Sequence, residues 1–337
     1  MRRRLAAILF VGLAVTGCRS ADKPTAEPKT AEPKTTQPKT TQPKTPETLA
    51  AMSSVDETAS QIPASGDTAA RVPASAEPFT DRPFTVEVPQ SYDSSVPAAL
   101  LVVLHGYTSS GEAMKEYFNL QSLAEQRGFL AVYPDGTKDS GGLRFWNATD
   151  ACCNFAGATT DDSAYLMSIV GNVRSRYSVD PKRIYVLGHS NGGFMAYRMA
   201  CEHADTIAAI VSLAGATFDD ATSCKPSQPV SVLQIHGSND GVISYTGGQI
   251  GSHAFPSATK TVTTWAQYNG CEPTPVVPAN RHTLDLDPSL PGNETGVTTF
   301  SGCRPGGSIE LLTIDGGAHS PKLSASVTDF LYAHRKP

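Results

Sequence analysis

A serine between two glycines, at the end of an apolar run, is the residue of this chain best placed to do chemistry. The stretch Arg183-Ile184-Tyr185-Val186-Leu187 carries a β-forming run into Gly188-His189-Ser190-Asn191-Gly192, followed by a helix-compatible segment from Phe194 to Cys201. Glycines two residues either side of Ser190 let a strand turn sharply into a helix. The hydroxyl is left at the apex, with the helix N-terminus beside it to stabilise negative charge. A serine hydroxyl is a weak nucleophile until a base takes its proton, so the implied chemistry is covalent acyl transfer assisted by a histidine and an orienting acid.

In a strand–turn–helix setting of this kind the acid and the histidine follow the serine in that order. Asp240 stands in His236-Gly237-Ser238-Asn239-Asp240, just after the run Val230–Ile235. His319 stands in Asp315-Gly316-Gly317-Ala318-His319, just after Ile309–Ile314. The alternative for Asp240 is a turn residue in an Asn-Asp-Gly bend. The competitors of His319 are His253, too soon after the acid, His282 in a Pro-rich stretch, and His334 in the C-terminal tail. The tetrahedral oxyanion needs donors. The backbone N–H of Asn191 is one candidate, and the N–H of Tyr107, in the His105-Gly106-Tyr107 loop after Leu100–Leu104, is the other. His105 and His236 each end a strand in a His-Gly pair, where each either lines the site or serves as a buried structural histidine.

The elements that must position these residues alternate. β-rich runs occupy Phe84–Val88, Leu100–Leu104, Phe129–Tyr133, Ile184–Leu187, Ile207–Leu213, Val230–Ile235 and Ile309–Ile314. Several are apolar throughout, as in Ala98-Ala99-Leu100-Leu101-Val102-Val103-Leu104, which fits strands buried on both faces of a parallel sheet. Leu166, Ile169, Val170, Val173 and Tyr177 keep helical spacing behind the capping residues Thr160, Asp161 and Asp162. A further helix is expected from Ser257 to about Tyr268, with Ala258, Val262 and Trp265 on one face. The expected fold class is therefore α/β, a mostly parallel sheet with helices on both faces, in one domain over 78–337.

Ahead of this domain the composition changes. Arg2, Arg3 and Arg4 precede an apolar run, Leu5 to Val15, too short to span a bilayer. Val15-Thr16-Gly17-Cys18 then resembles the bacterial lipobox, in which the cysteine is acylated and becomes the mature N-terminus. Residues 1–18 are thus expected to be a lipoprotein signal with Cys18 as the membrane anchor. The alternative is an ordinary secretory signal. Arg19 in place of Asp permits sorting to an outer membrane. Residues 19–77 contain four pentapeptides, from Ala26-Glu27-Pro28-Lys29-Thr30 to Thr41–Thr45, each with a central proline. With no large apolar residues to bury within the repeats, they are expected to form an extended spacer. Residues 1–77 carry ten Lys/Arg and eight Asp/Glu, and the rest carries seventeen and twenty-four. An acidic body without a basic run argues against a nucleic-acid partner. Besides Cys18 there are six cysteines, an even number that suits three disulfides in an exported domain. Fifteen pairings are formally open. Cys201–Cys224 and Cys271–Cys303, each closing a modest loop, are the favoured ones, leaving Cys152 and Cys153 as a vicinal pair.

From about Phe79 onward the chain resembles the polyhydroxybutyrate depolymerase-like and feruloyl esterase group, in the first carbohydrate esterase family. The matching stretches are Leu104-His105-Gly106, Tyr133-Pro134-Asp135-Gly136, Trp146-Asn147 with Cys152-Cys153, Asp161-Asp162 and Val179–Tyr185. The serine elbow, His236-Gly237-x-x-Asp240, Trp265 with Asn269-Gly270-Cys271, and Gly316-Gly317-x-His319 follow in the same order. The resemblance implies an α/β-hydrolase fold, no cofactor or metal, a polymeric or oligomeric ester substrate, and Ser190, Asp240 and His319 as the triad. By the same resemblance Trp146 and Asp162 are candidate lining residues, the alternatives being a core aromatic and a helix N-terminal charge. Two positions depart from the group. Ser320-Pro321-Lys322 follows the histidine where many relatives have Thr-Trp-Pro-Gly, and Tyr107 stands where many have cysteine. The substrate expected is a feruloyl or acetyl ester of plant polysaccharide. A polyhydroxyalkanoate is the runner-up, and a serine peptidase or a non-catalytic binding lipoprotein are the more distant readings.

Overall fold

The computed structural model describes residues 82–280, 282–323 and 325–337. The expected signal, Cys18, the repeats and the first residues of the expected domain lie outside the described residues. In chain order the strands are β1 (Val86–Glu87), β2 (Ala98–Leu104), β3 (Leu130–Val132), β4 (Thr137–Lys138), β5 (Arg144–Phe145), β6 (Val179–His189), β7 (Ala209–Leu213), β8 (Ser231–Gly237), β9 (Gly248–Ile250), β10 (His253–Phe255), β11 (His282–Leu284), β12 (Thr295–Thr299) and β13 (Ile309–Ile314). The helices are α1 (Gly111–Phe118), α2 (Gln121–Arg127), α3 (Asp162–Arg176), α4 (Asn191–Glu202), α5 (Ala258–Tyr268) and α6 (Asp329–Ala333).

One sheet organises the molecule, in the order β1-β3-β2-β6-β7-β8-β13-β12-β11. Strands β3, β2, β6, β7, β8 and β13 run parallel, while β1, β12 and β11 close the two sides in antiparallel pairing. Every residue of β2 is buried, as its uninterrupted apolar run requires. Successive side chains point to opposite faces and enter separate cores. Leu100, Val102 and Leu104 pack with Leu166 and Ile169 of α3, Phe194 and Tyr197 of α4 and Trp265 of α5. Ala99, Leu101 and Val103 pack with Met114 and Phe118 of α1, Ala124 of α2 and Phe330 and Leu331 of α6.

Helix α3 starts where its capping residues predict. The Asp161 side chain accepts a hydrogen bond from the Ala164 N–H, and Ser257 caps α5 in the same way through Lys260. The seven β-rich runs all enter the sheet: β1, β3 and β7 are trimmed at their ends, β2 and β6 extend beyond the expected runs, β8 is shifted by one or two residues, and β13 matches its run. Two strands are additional: β12, with sequence Thr-Gly-Val-Thr-Thr, and β11, formed from the stretch around His282 that reads as irregular. The six cysteines pair as Cys152–Cys153, Cys201–Cys224 and Cys271–Cys303. Among the described residues no helix is long and apolar enough to cross a membrane.

Candidate active site

The loops that follow β2, β6, β8 and β13 lie at the carboxyl ends of parallel strands, where sites of this architecture assemble. Ser190 occupies the turn between β6 and α4 with φ 54° and ψ −121°, a left-handed conformation uncommon outside glycine. Strain of this kind persists only where the surroundings enforce it. Here the Ser190 N–H donates to the Leu213 carbonyl at 2.7 Å, and the Ser190 carbonyl accepts from the Gly193 N–H at 2.8 Å. The turn is too tight for side chains on either flank. A Cβ on Gly188 would lie 2.0 Å from the Gly192 carbonyl oxygen, and one on Gly192 would lie 2.4 Å from that of Leu104.

His319 and Asp240 meet at the next two loops. His319 Nδ1 donates to Asp240 Oδ2 at 2.8 Å. The loops are laced together by the Ser238 N–H on the Ile314 carbonyl (2.9 Å), the Asn239 N–H on the Gly317 carbonyl (3.0 Å) and the Gly316 N–H on Ser238 Oγ (2.8 Å). Gly237 permits this approach, because a Cβ there would stand 2.2 Å from the Gly317 carbonyl oxygen. The other carboxylate oxygen of Asp240 accepts the N–H groups of Val242 and Ile243 at 2.8 and 2.9 Å. Burial opposes ionisation of this carboxyl. The hydrogen bonds from His236, His319 and the Val242 N–H outweigh burial and hold it well below the usual carboxylate range.

Two histidines brace the pair. His236, ending β8, donates through Nε2 to the Ile243 carbonyl at 2.7 Å and lies 3.3 Å from Asp240 Oδ2. Its Nδ1 accepts from Gln234 Nε2 at 3.1 Å, and Gln234 Oε1 accepts from the Tyr197 hydroxyl at 2.8 Å. This buried chain fixes the His236 tautomer so that its N–H faces the acid. His189, the residue before the nucleophile, lies with its ring centroid 5.0 Å from that of His319. Its Nε2 is 3.1 Å from both the His319 carbonyl oxygen and Ser320 Oγ. Burial first, and then the charge of His319, push His189 down to about 4. Tyr117 of α1 secures the same loop by donating to the Pro321 carbonyl. The structure thus brings Ser190, Asp240 and His319 to one end of the sheet.

Sequence reasoning passed over His189, Gln234 and Tyr197. A polar Gln234 inside the apolar run Val230–Ile235 was the signal available for the second of these.

Among the described residues no turn or loop backbone hydrogen bond engages the Tyr107 or the Asn191 N–H. The Asn191 side chain is turned inward. Its Oδ1 accepts the Trp146 N–H at 2.6 Å, and its Nδ2 donates to the Trp146 carbonyl at 3.0 Å and to Cys152 Sγ at 3.7 Å.

The remaining lining expectations need correction, because His105, Trp146 and Asp162 are each 0% exposed. His105 Nε2 accepts the Gly136 N–H at 2.8 Å, and Trp146 Nε1 donates to the His105 carbonyl at 2.9 Å. Burial lowers the affinity of His105 for a proton, although its Gly106 carbonyl contact pulls the other way. Asp162 accepts from Arg82 at 2.5 Å, from Thr137 Oγ1 at 3.0 Å and from the Asn147 N–H at 2.7 Å. All three residues hold the loops from behind and have no surface left for a substrate. Among the described residues no group of three or more His, Cys, Asp or Glu side chains is arranged to hold a metal ion.

The parallel sheet, the strained serine between glycines and the acid–histidine pair on the following loops define an α/β-hydrolase. Residues 91–262, more than half of the chain, match the family model described as esterase PHB depolymerase, and the chain belongs to that family. It is 30% identical over 250 residues to feruloyl esterase B of Piromyces equi, an alignment covering 71% of this chain and 42% of that protein. It is 26% identical to a bifunctional acetylxylan esterase/xylanase of Neocallimastix patriciarum, covering 68% of this chain and 30% of the relative. The chain therefore spans less than half the length of either relative. With a probable feruloyl esterase C of Aspergillus niger the identity is 26%, covering 70% of this chain and 76% of the relative. The solved acetyl xylan esterase from Aspergillus awamori shares the fold, with a TM-score of 0.53 at 19% identity over 75% of this chain and 94% of the other.

Proposed function

We propose that this protein is an exported serine esterase that cleaves carboxylic esters, feruloyl or acetyl esters of plant polysaccharide, through an acyl-enzyme. The observation that carries the reading is the 2.8 Å hydrogen bond from His319 Nδ1 to Asp240, in a loop held against the residue next to Ser190. With Nδ1–H committed to the acid, Nε2 of His319 is left as the base. Ser190 Oγ attacks the ester carbonyl as His319 takes its proton, and the N–H groups of Tyr107 and Asn191 receive the oxyanion. Collapse expels the alcohol, which leaves with the proton returned by His319. Water then repeats the sequence on the acyl-serine and regenerates Ser190.

The names of the relatives favour hydroxycinnamoyl and acetyl esters as substrates. The family description favours a polyhydroxyalkanoate as the second reading. A panel of methyl ferulate, acetylated xylan, short-chain nitrophenyl esters and hydroxybutyrate oligomers separates them. The first two should be cleaved and the oligomers spared, whereas cleavage of the oligomers alone would establish the second reading. Failure to cleave any would leave a binding lipoprotein on a hydrolase scaffold.

Attachment to the membrane through acylated Cys18 belongs to the same proposal. Cys18→Ser should release the protein from the membrane fraction and leave its specific activity intact. Continued sedimentation of that variant with membranes would refute the anchor.

A further inference from the structure

Phe155 is 60% exposed on a turn that the protein braces from several sides. Its N–H donates to the Cys153 carbonyl at 3.0 Å. The preceding Asn154 side chain accepts the Ala158 N–H and donates to the Ala158 carbonyl, both at 2.7 Å. A ring left in water on a fixed turn gives up the stabilisation its burial would bring. Two separate chain segments link it to the residues flanking the serine and its loop. On one side it meets Tyr107 edge to face, with ring centroids 5.3 Å apart and planes at 87°. Tyr107 follows Gly106, where a Cβ would stand 3.2 Å from Ser190 Cβ. On the other side the turn follows Cys152–Cys153, and Cys152 Sγ is contacted by the side chain of Asn191, the residue after the nucleophile. The Tyr107 hydroxyl leans toward Asp139 Oδ2 at 3.4 Å, which sets the tilt of its ring.

We propose that Tyr107 and Phe155 form an aromatic shelf that receives the acyl side of the substrate, so that this chain selects esters of planar aryl-alkenoic acids over aliphatic ones. The proposal rests on the serine esterase reading and narrows its substrate. The residue whose N–H receives the oxyanion also carries the inner ring of the shelf. An acyl group bound by that N–H therefore runs outward along Tyr107 toward Phe155. In a hydroxycinnamoyl ester a rigid two-carbon alkene places the aryl ring beyond the carbonyl and in its plane. That flat ring can stack on one aromatic and meet the other edge-on, the two geometries aromatic pairs prefer. An acetyl or hydroxybutyryl group offers no ring to either.

The test compares methyl ferulate with methyl butyrate, which share a leaving group and differ only in the acyl part. Wild type should favour the ferulate in kcat/KM. Phe155→Ala should lower the ferulate-to-butyrate ratio by about tenfold, mainly through KM, whereas Phe155→Tyr should keep it. Because Phe155 is exposed, an unchanged melting temperature will show that the alanine variant is folded. A wild-type preference for butyrate, or a ratio that Phe155→Ala does not move, would overturn the shelf while leaving the esterase standing. Loss of both activities together with no fluorophosphonate labelling of wild-type Ser190 would instead strike at the esterase reading itself.

Discussion

Replacing Asp240 with Asn is close to isosteric, so its effects isolate the charge and the second acceptor. In the native site the carboxylate accepts three N–H groups, Val242 and Ile243 on one oxygen and His319 on the other, with His236 Nε2 3.3 Å from the latter. An amide has one oxygen, so one side of this arrangement must face an NH2 group. If the amide oxygen keeps the backbone pair, its NH2 points at His319, which then turns to the tautomer with the proton on Nε2 and can no longer accept from Ser190. If it keeps the histidines, the N–H groups of Val242 and Ile243 are stranded. The first arrangement removes a charge-assisted hydrogen bond of about 1.5–3 kcal/mol and adds the tautomer penalty. In serine proteases the same change costs about four orders of magnitude in turnover. We therefore expect kcat on methyl ferulate to fall by about 10³–10⁴, equivalent to about 4–5.5 kcal/mol at about 1.36 kcal/mol per decade, with KM changing little. Stability should fall by about 1–3 kcal/mol at pH 7 for the charge-assisted hydrogen bond lost. The Asp240 carboxyl is depressed in the fold, so its contribution is complete above the ordinary carboxylate range and is lost as pH falls toward the native value. The stability gap between wild type and variant should accordingly narrow in acid. Steady-state kinetics and urea titrations at pH 7 and pH 3.5 measure both effects. A loss in kcat under tenfold would show that Asp240 does not orient the base.

Three further outcomes follow from the packing. Gly192→Ala puts a Cβ 2.4 Å from one carbonyl oxygen and 2.7 Å from the next. It should cost at least about 1–3 kcal/mol in urea denaturation and about a hundredfold in kcat by shifting Ser190. His189 is pushed down to about 4 in the fold, so its contribution to stability is complete above about pH 6.5 and is lost as pH falls from there through 4. His189→Gln should make the protein less acid-sensitive across that window, by about 3 kcal/mol between its ends, as read from urea midpoints at pH 7 and pH 4. Asp162→Ala breaks a buried ion pair and should cost about 3–5 kcal/mol while leaving KM within about twofold. A raised KM with unchanged stability would return Asp162 to the substrate surface.

The placement of Ser190, Asp240 and His319 at one end of the sheet was legible because β6, β8 and β13 each carry a mostly aliphatic segment ahead of the loop that holds one of them, and whatever follows such a strand in a parallel sheet emerges at one end. The glycines helped as well. Gly188, Gly192 and Gly237 each stand where backbone passes within a side chain's reach of backbone, a constraint that shows in the sequence as Gly-x-Ser-x-Gly and His-Gly. Strand β12 was not legible, since Thr295-Gly296-Val297-Thr298-Thr299 has only one aliphatic residue and takes its conformation from its pairing with β13. His105, Trp146 and Asp162 were misplaced for a different reason. A polar or aromatic residue beside a catalytic loop has the same appearance in the sequence whether it faces the cleft or supports the loop from behind. The partners that decide it, Gly136 for His105 and Arg82 for Asp162, lie 31 and 80 residues away. His189 escaped notice because only its placement against the His319 loop, 130 residues on, reveals what it does.

The central claim is that Ser190 is the nucleophile of an acyl-transfer site. Its most direct test is to treat the protein with a fluorophosphonate, digest it and map the adduct by mass spectrometry, with Ser190→Ala alongside. One phosphonyl group on the peptide carrying Ser190, absent from a folded Ser190→Ala variant that also retains less than about a tenth of the hydrolysis rate, is the result expected. An adduct on another residue, or a Ser190→Ala protein that still turns over ester at near the wild-type rate, would contradict it.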